Sequence, residues 1–454
     1  MKLIKNAIIS DDTPNGKKKV DILFNKKIRK ISEIPITDTN IETIELREKL
    51  LIPGCIDAHV HFNDPGYTHH EDFLSGTSAA AFGGITTVVD MPCTSIPEVT
   101  NVSNLFKKLD VINPKAVVDY ALWGGICSND LPLKKSMIKA LWKEGVVGFK
   151  MYTISSMESF KAMSYPQIEM VLTEFPDILF AFHAEDQQII EQCFLQYQDK
   201  DLTNPKYFVK MRPVEAEWKA VKMIMQCCNK NKIHFVHISS EKAAREIIKY
   251  KKSHDISFET CPHYLEFTSD DFVTLKGRLK TAPPVKYEAN RKFLQNCLEK
   301  GLVDYISTDH AGCDFETEKN IADFSKVYNG IPGTQLMIPY LFSEFYQTGK
   351  ISLQTIIKVT SQNQAKRLGL FPRKGSLEIG TDADFTIINL NNGFRVDEKE
   401  LQSKGKYSPF VGKVFNCKID KTIVRGELVF DQKYGILQKP GFGEWIRREK
   451  KISR

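Results

Sequence analysis

Apolar positions along the chain follow two rhythms. Near the start they alternate with polar ones over short runs. Leu3-Ile4, Ala7-Ile8-Ile9, Val20 to Phe24 and Ile28 to Ile31 are separated by polar turns such as Pro14-Asn15-Gly16. A period of two with β-branched residues predicts strands. The same rhythm returns from about 375 to 430, in Phe385-Thr386-Ile387-Ile388 and from Ile419 to Phe430. Two β-rich ends around a different middle predict one small β-sandwich domain, built from residues 1–52 and 371–454.

Residues 53–370 alternate short apolar runs with longer amphipathic ones. After the run from Leu50 to Ile56, strands are predicted over Ile85 to Asp90, Val117 to Trp123, Gly148 to Tyr152, Leu179 to His183, Ile233 to Ile238, Ile256 to Thr260 and Tyr305 to Asp309. Helices are predicted over Phe73 to Phe82, Pro132 to Lys143, Pro166 to Glu174, Val214 to Cys228, Glu241 to Tyr250 and Glu288 to Glu299. About eight strands, each tending to be followed by a helix, predict an α/β fold of the (β/α)₈ TIM-barrel type. An open doubly wound sheet would usually carry a glycine-rich phosphate loop after its first strand. Here that place holds Asp57-Ala58-His59-Val60-His61.

Composition narrows the class. Of 454 residues 42% are hydrophobic and 26% charged, as in a globular protein rather than a disordered or membrane one. The net charge of +7 is dispersed, apart from Lys17-Lys18-Lys19 and the tail Arg447-Arg448-Glu449-Lys450-Lys451. No aromatic residues interleave with these basic runs, so they read as solvated faces, and no nucleic-acid partner is expected. No stretch reaches the ~20 apolar residues of a membrane span, and no membrane partner is expected. The ten cysteines form no C-x-x-C pair, and the start lacks a signal-peptide pattern. A reducing, cytoplasmic compartment is the expectation.

The candidate chemistry sits at the strand ends, where barrels of this type carry their active sites. His59 and His61 stand one residue apart on a strand, so both point to one side and Val60 to the other. Lys150 lies inside an apolar strand. His183, His237 and Asp309 each end a later strand. Any one of these is weak evidence, but together they bring four imidazoles, a lysine and a carboxylate to one face. Such a donor set suits Zn²⁺ and its neighbours. Of the other histidines, His234 is expected to face the opposite side of its strand from His237, and His310 to point away from the metals. His263 is either a support for the site or a turn residue. His69, His70 and His254 read as loop or surface residues.

With these residues in place the chain resembles the cyclic amidohydrolases: dihydroorotases, allantoinases and hydantoinases. The resemblance runs from Ile52-Pro53-Gly54-x-x-Asp57-x-His59-x-His61 to Gly380-x-Asp382-Ala383-Asp384. It implies two divalent metal ions, expected to be Zn²⁺, with His59, His61 and Asp309 on one and His183 and His237 on the other. Lys150, carboxylated by CO₂, would bridge them, since a carbamate neutralises metal charge where an ammonium would repel it. Asp309 would be the catalytic proton carrier in hydrolysis of a ring amide. The resemblance also implies a homo-oligomer, dimer or tetramer. A scaffold that had lost the chemistry would have lost ligands, and all six are present.

The loops bear on the substrate, a small cyclic ureide. Dihydroorotases typically grip a carboxylate with an Arg and an Asn where this chain has Asn63 and Cys93. His61-x-Asn63-Asp64-Pro65-Gly66-x-Thr68-x-x-Glu71-x-Phe73 and Asp90-Met91-Pro92-x-x-Ser95-Ile96-Pro97 look like allantoinase loops instead. Allantoin to allantoate is therefore the expected reaction, ahead of a dihydroorotase, or of a hydantoinase or dihydropyrimidinase acting on another ureide. The expected substrate contacts are Asn63, Ser95, Ala282 and Gly333. Ala282 departs from the Ser usual in allantoinases and hydantoinases. Gly333 lies in Gly330-Ile331-Pro332-Gly333-Thr334-Gln335, read either as a loop offering backbone groups to the ring or as a turn before a helix.

Overall fold

Eight parallel strands close on themselves in the middle of the chain. The protein is described here by a computed structural model covering residues 1–449 apart from 12, 14, 38, 39, 133 and 134. Pro14 of the expected turn, Leu133 and Lys134 of an expected helix, and Lys450 and Lys451 of the basic tail lie outside the described residues. The barrel strands are Cys55–His61, Ile85–Asp90, Asp119–Leu122 with Gly124–Gly125, Phe149–Tyr152, Leu179–His183, Lys232–Phe235, Ile256–Thr260, and Tyr305–Ile306 with His310–Ala311. The third and eighth strands are each broken in two. One piece of each pairs backward and the other forward, so that His310 and Ala311 meet Val60 and His61 and complete the ring.

Helices cover the outside of the barrel. Phe73–Phe82, Lys135–Glu144, Tyr165–Glu174, Val214–Cys227, Glu241–Tyr250 and Glu288–Glu299 form close to where the apolar period places them. Their starts are chemically marked. Asp72 and Ser240 accept hydrogen bonds from the backbone N–H of Ser75 and Ala243, satisfying donors that a helix start leaves open. The helices Val102–Ile112, Gln187–Tyr197 and Pro205–Met211 were not expected.

The two chain ends share one nine-stranded sheet. Leu50–Pro53 lies between Lys2–Ser10 and Phe385–Asn389, parallel to the first and antiparallel to the second. Ile4, Ile22, Phe24, Leu51, Phe385, Ile387 and Ile423 form its buried face. Gly54 then hands the chain from this sheet to the barrel, its N–H donating to the Asp384 carbonyl at 2.8 Å. Lys374 links the two parts, with Nζ 2.6 Å from Asp119 on the third barrel strand and 2.6 Å from Asp384 beside the sheet. Two later segments return to the barrel. The Tyr407 hydroxyl donates to the Gly330 carbonyl at 3.0 Å, and the Ile446 N–H to the Tyr120 carbonyl at 2.7 Å. No helix among the described residues is long and apolar enough to cross a membrane.

Candidate functional site

The first barrel strand contains an irregularity between Asp57 and Val60, where three steps on this strand match two on its neighbour. Such a bulge re-aims the side chains after it. His59 and His61 then project together into the barrel mouth, their Nε2 atoms 3.2 Å apart, while Val60 packs outward in the core. Asp309 Oδ1 lies 3.2 Å from each of these nitrogens. Beside this trio, His183 Nδ1 and His237 Nε2 approach to 3.0 Å, and the rings of His59 and His237 have centroids 5.4 Å apart. Four imidazoles and a carboxylate thus converge on one small space.

Lys150 lies beneath them, 0% exposed, and its Nζ has no hydrogen-bond partner. A buried ammonium without a partner is costly. Burial pushes its pKa down to about 8, against the pull of Cys93, Asp309 and Glu259. An amine brought this close to neutrality, under a converging set of metal donors, fits a lysine that ends as an anionic bridge. The donor chemistry and the orphaned Nζ both fit a pair of divalent cations.

Burial and neighbouring charge act differently on the members of the donor ring. Burial lowers the pKa of His59, His183 and His237, which keeps their imidazoles neutral and able to bind a metal. His61 goes the other way. Burial opposes its charge, but the Asp309 carboxylate and Cys93 outweigh that and raise it to about 10. Burial would raise Asp309 as well; His59 and His61 reverse that and hold it at about 2.

Two carboxylates that sequence reasoning missed hold the ligands from behind. Glu259 Oε1 is 2.5 Å from His59 Nδ1, and its other oxygen is 3.2 Å from His234 Nε2. Glu185 Oε2 is 2.8 Å from His183 Nε2, and Arg212 clasps Glu185 in turn, Nε to Oε1 at 3.1 Å. Such partners fix a histidine's tautomer and ring orientation. Glu259 gives little sequence signal, since Ile256–Thr260 alternates apolar and polar residues and Glu259 falls on a polar position. Glu185 has only its place two residues past His183.

The expectation that His234 faces away from His237 is corrected. The sixth strand ends at Phe235, and His237 leaves it with φ +40°, so strand alternation no longer links the two. His234 lies beneath the site, bonded to Ser257 at 2.9 Å as well as to Glu259. His310 does point away, toward Glu71 at 3.1 Å. His263 is buried without a partner for Nε2, and burial lowers its pKa to about 4. Asp309 (φ +50°) and Asn63 (φ +59°) share the left-handed backbone of His237, a strain that concentrates where function fixes the chain.

A cleft of about 640 Å³ opens over the donors and is lined by His61, His183, His237 and Asp309. Of the expected substrate contacts, Ala282 lines it as well. Ser95 is buried against the Lys108 ammonium, 3.2 Å away. The Gly333 N–H turns to His310 Nδ1 at 3.3 Å. Asn63 is buried, with its Nδ2 lacking a partner. Cys93, Tyr152 and Arg212 line the cleft without having been expected to. The Cys93 thiol lies 3.1 Å from the Tyr152 hydroxyl, and the Tyr152 ring stacks on His183.

Comparison with known proteins agrees with this geometry. Residues 50–429 match the model of the amidohydrolase family. The chain is 33% identical to the probable allantoinase 2 of Dictyostelium discoideum, over 90% of this chain and 84% of that one. It is 34% identical to an allantoinase of Streptomyces avermitilis, over 85% of each chain. It is also 31% identical to the allantoinase of Saccharomyces cerevisiae, over 93% of this chain and 91% of that one. Among solved structures, the L-hydantoinase (dihydropyrimidinase) of Arthrobacter aurescens superposes with a TM-score of 0.91 at 29% identity, covering 98% of this chain and 99% of that one.

Proposed function

The chain belongs to the amidohydrolase family, and from that premise we propose that it is a metal-dependent hydrolase that opens the hydantoin ring of allantoin to give allantoate. The observation that carries the reading is the convergence of His59, His61, Asp309, His183 and His237 above the partnerless Lys150 Nζ. His59, His61 and Asp309 would hold one divalent cation and His183 and His237 the other, with Zn²⁺ the expected metal. Lys150 would serve both as a carbamate. Its amine forms an N–C bond to CO₂ and gives up a proton. Bound there, the two cations supply Lewis acidity and bring the pKa of water down to about 7.

The chain's own groups do the rest. Asp309 accepts the proton of the attacking water and delivers it to the ring nitrogen as the amide C–N bond breaks. Glu259 and Glu185 keep the two histidine pairs oriented. Ala282 and its neighbours border the ring, with Asn63, Ser95 and Gly333 shaping the loops around it.

Allantoin is favoured over a carboxylate-bearing ring by the charges in the cleft. Position 63 offers no cation, and the Arg212 guanidinium is already engaged by Glu185. A carboxylate would find no free bidentate partner in either. A second reading, a hydantoin with an apolar substituent, is favoured by Ile154, Met157 and Val327 in the cleft lining and by the likeness to the hydantoinase. Ten free cysteines support a reducing, cytoplasmic setting, and a dimer or tetramer is part of the same reading. The test is turnover of allantoin, 5-substituted hydantoins, dihydrouracil and dihydroorotate, with metal content measured in parallel. Allantoin is expected to be turned over fastest, with a histidine-bound metal present. Faster turnover of dihydroorotate would overturn the reading.

A further inference from the structure

Two parts of the cleft lining, Thr281–Ala282 and Val327–Asn329, come from the loops that follow the seventh and eighth barrel strands. Neither is a helix or a strand, so neither is held in place by a regular hydrogen-bond ladder. The Gly330 N–H donates to the Lys280 carbonyl at 3.0 Å, joining the loops backbone to backbone. Two buried lysines add to this bond.

Lys280 is 2% exposed. Its Nζ donates to the carbonyls of Phe324, Ser325 and Val327 at 2.7, 3.1 and 2.6 Å. An ammonium has three donors, and here each has a main-chain acceptor. Lys319 is 1% exposed. Its Nζ donates to the carbonyls of Lys280 and Tyr328, both at 2.8 Å. The two lysines therefore reach in opposite directions, each gripping the loop that carries the other. Aromatic rings close over the charges, with Phe208 and Phe324 centred 4.8 and 5.2 Å from Lys280 Nζ and Tyr407 centred 5.5 Å from Lys319 Nζ.

Taking an ammonium out of water is expensive, and carbonyl dipoles repay it only when several converge. Here both lysines act on the residues immediately before and within the cleft wall. We propose that Lys280 and Lys319 are positioning residues that fix the cleft wall by clasping the eighth-strand loop to the seventh-strand loop, and so set how tightly the ring is held. This rests on the reading of the cleft as the substrate site. Neither lysine lines the cleft, so both act through Val327, Tyr328 and Ala282 rather than on the ring.

The test uses Lys280→Met and Lys319→Met in the metal-loaded protein, with the cyclic ureide that the wild type turns over. Methionine keeps much of the stem and removes the donors. KM is expected to rise ~10-fold or more, with kcat within ~3-fold and the metal-to-protein ratio unchanged, the signature of binding lost equally from the ground and transition states. Lys319→Arg keeps donors and is expected to recover part of the loss. An unchanged KM in both Met variants overturns the proposal, and so does a collapse of kcat together with metal loss. A measurement on the wild type decides the matter even where a variant does not fold. The amides of Tyr328 and Gly330 are expected to exchange hydrogen as slowly as those of the barrel strands. Rapid exchange there overturns the clasp. That arm needs no substrate, so failure of the clasp and failure of the allantoin reading give different results.

Discussion

Lys150 concentrates the chemistry into one side chain. Lys150→Ala would remove the proposed bridge and leave the donors above it facing one another across a void. Metal content measured by elemental analysis is expected to fall, and turnover to vanish. Added short carboxylic acids are expected to restore part of the activity by entering the void. Full activity in the variant would refute the bridge. Glu259→Gln tests the support behind His59. The amide keeps the size of the carboxylate but loses the charge that orients the imidazole at 2.5 Å. Metal affinity, measured by competition with a chelating dye, is expected to drop by ~10–100-fold. The six proposed ligands could be read from the chain because five are polar groups at or near the end of an apolar run and Lys150 is a charge inside one. Glu185 could not, because its partners, Arg212 and the far nitrogen of His183, come together only in the folded chain.

Elements carry the second part of the design. Phe62 follows directly on His61, and its ring stands edge-on to Phe73 and His310 at centroid distances of 5.4 and 5.3 Å. Gly76, in the helix Phe73–Phe82, makes room for it. A Cβ there would lie 2.5 Å from the Phe62 ring. Gly76→Ala gains helix propensity of about 0.5–1 kcal/mol, while overpacking a fully buried ring costs about 1–3 kcal/mol. The overlap should win, and a lower Tm is the expected result; a higher one would show that the ring yields freely. Helices such as Glu241–Tyr250 were legible because they bury a regular stripe, Ala243, Ala244 and Ile247. Gln187–Tyr197 was not, since Ile190 is its only buried residue and little apolar period remains to be read. The end of the sixth strand was misjudged for a different reason. A left-handed residue ends the alternation, and no residue type at 237 announces it.

At the scale of the molecule, barrel and sheet are joined through charge. Lys374 is surrounded by Asp119, Asp384 and Asp382, at 2.6, 2.6 and 3.1 Å. Arg425 also pairs with Asp119, and Arg373 with Asp382 at 2.8 Å, but Lys374→Met would leave Asp384 buried without a cation, a defect worth about 3–5 kcal/mol. Denaturant unfolding should show this loss, and an unchanged midpoint would mean that Arg373 and Arg425 suffice. The sheet shared by the two ends was visible in the sequence as matching rhythms; the lysine beside it was not, because Asp119 joins Asp382 and Asp384 around it only in the folded chain. The shared sheet also constrains the order of events during synthesis. The Cys55 N–H finds its acceptor on Thr386, 331 residues later. At roughly 5–20 residues per second, the early strands wait on the order of tens of seconds for their central neighbour. During that time a row of open backbone groups faces the cell beside a barrel that is still incomplete. The protein's most vulnerable moment therefore comes before its active site exists, and chaperones would be expected to engage residues 2–53.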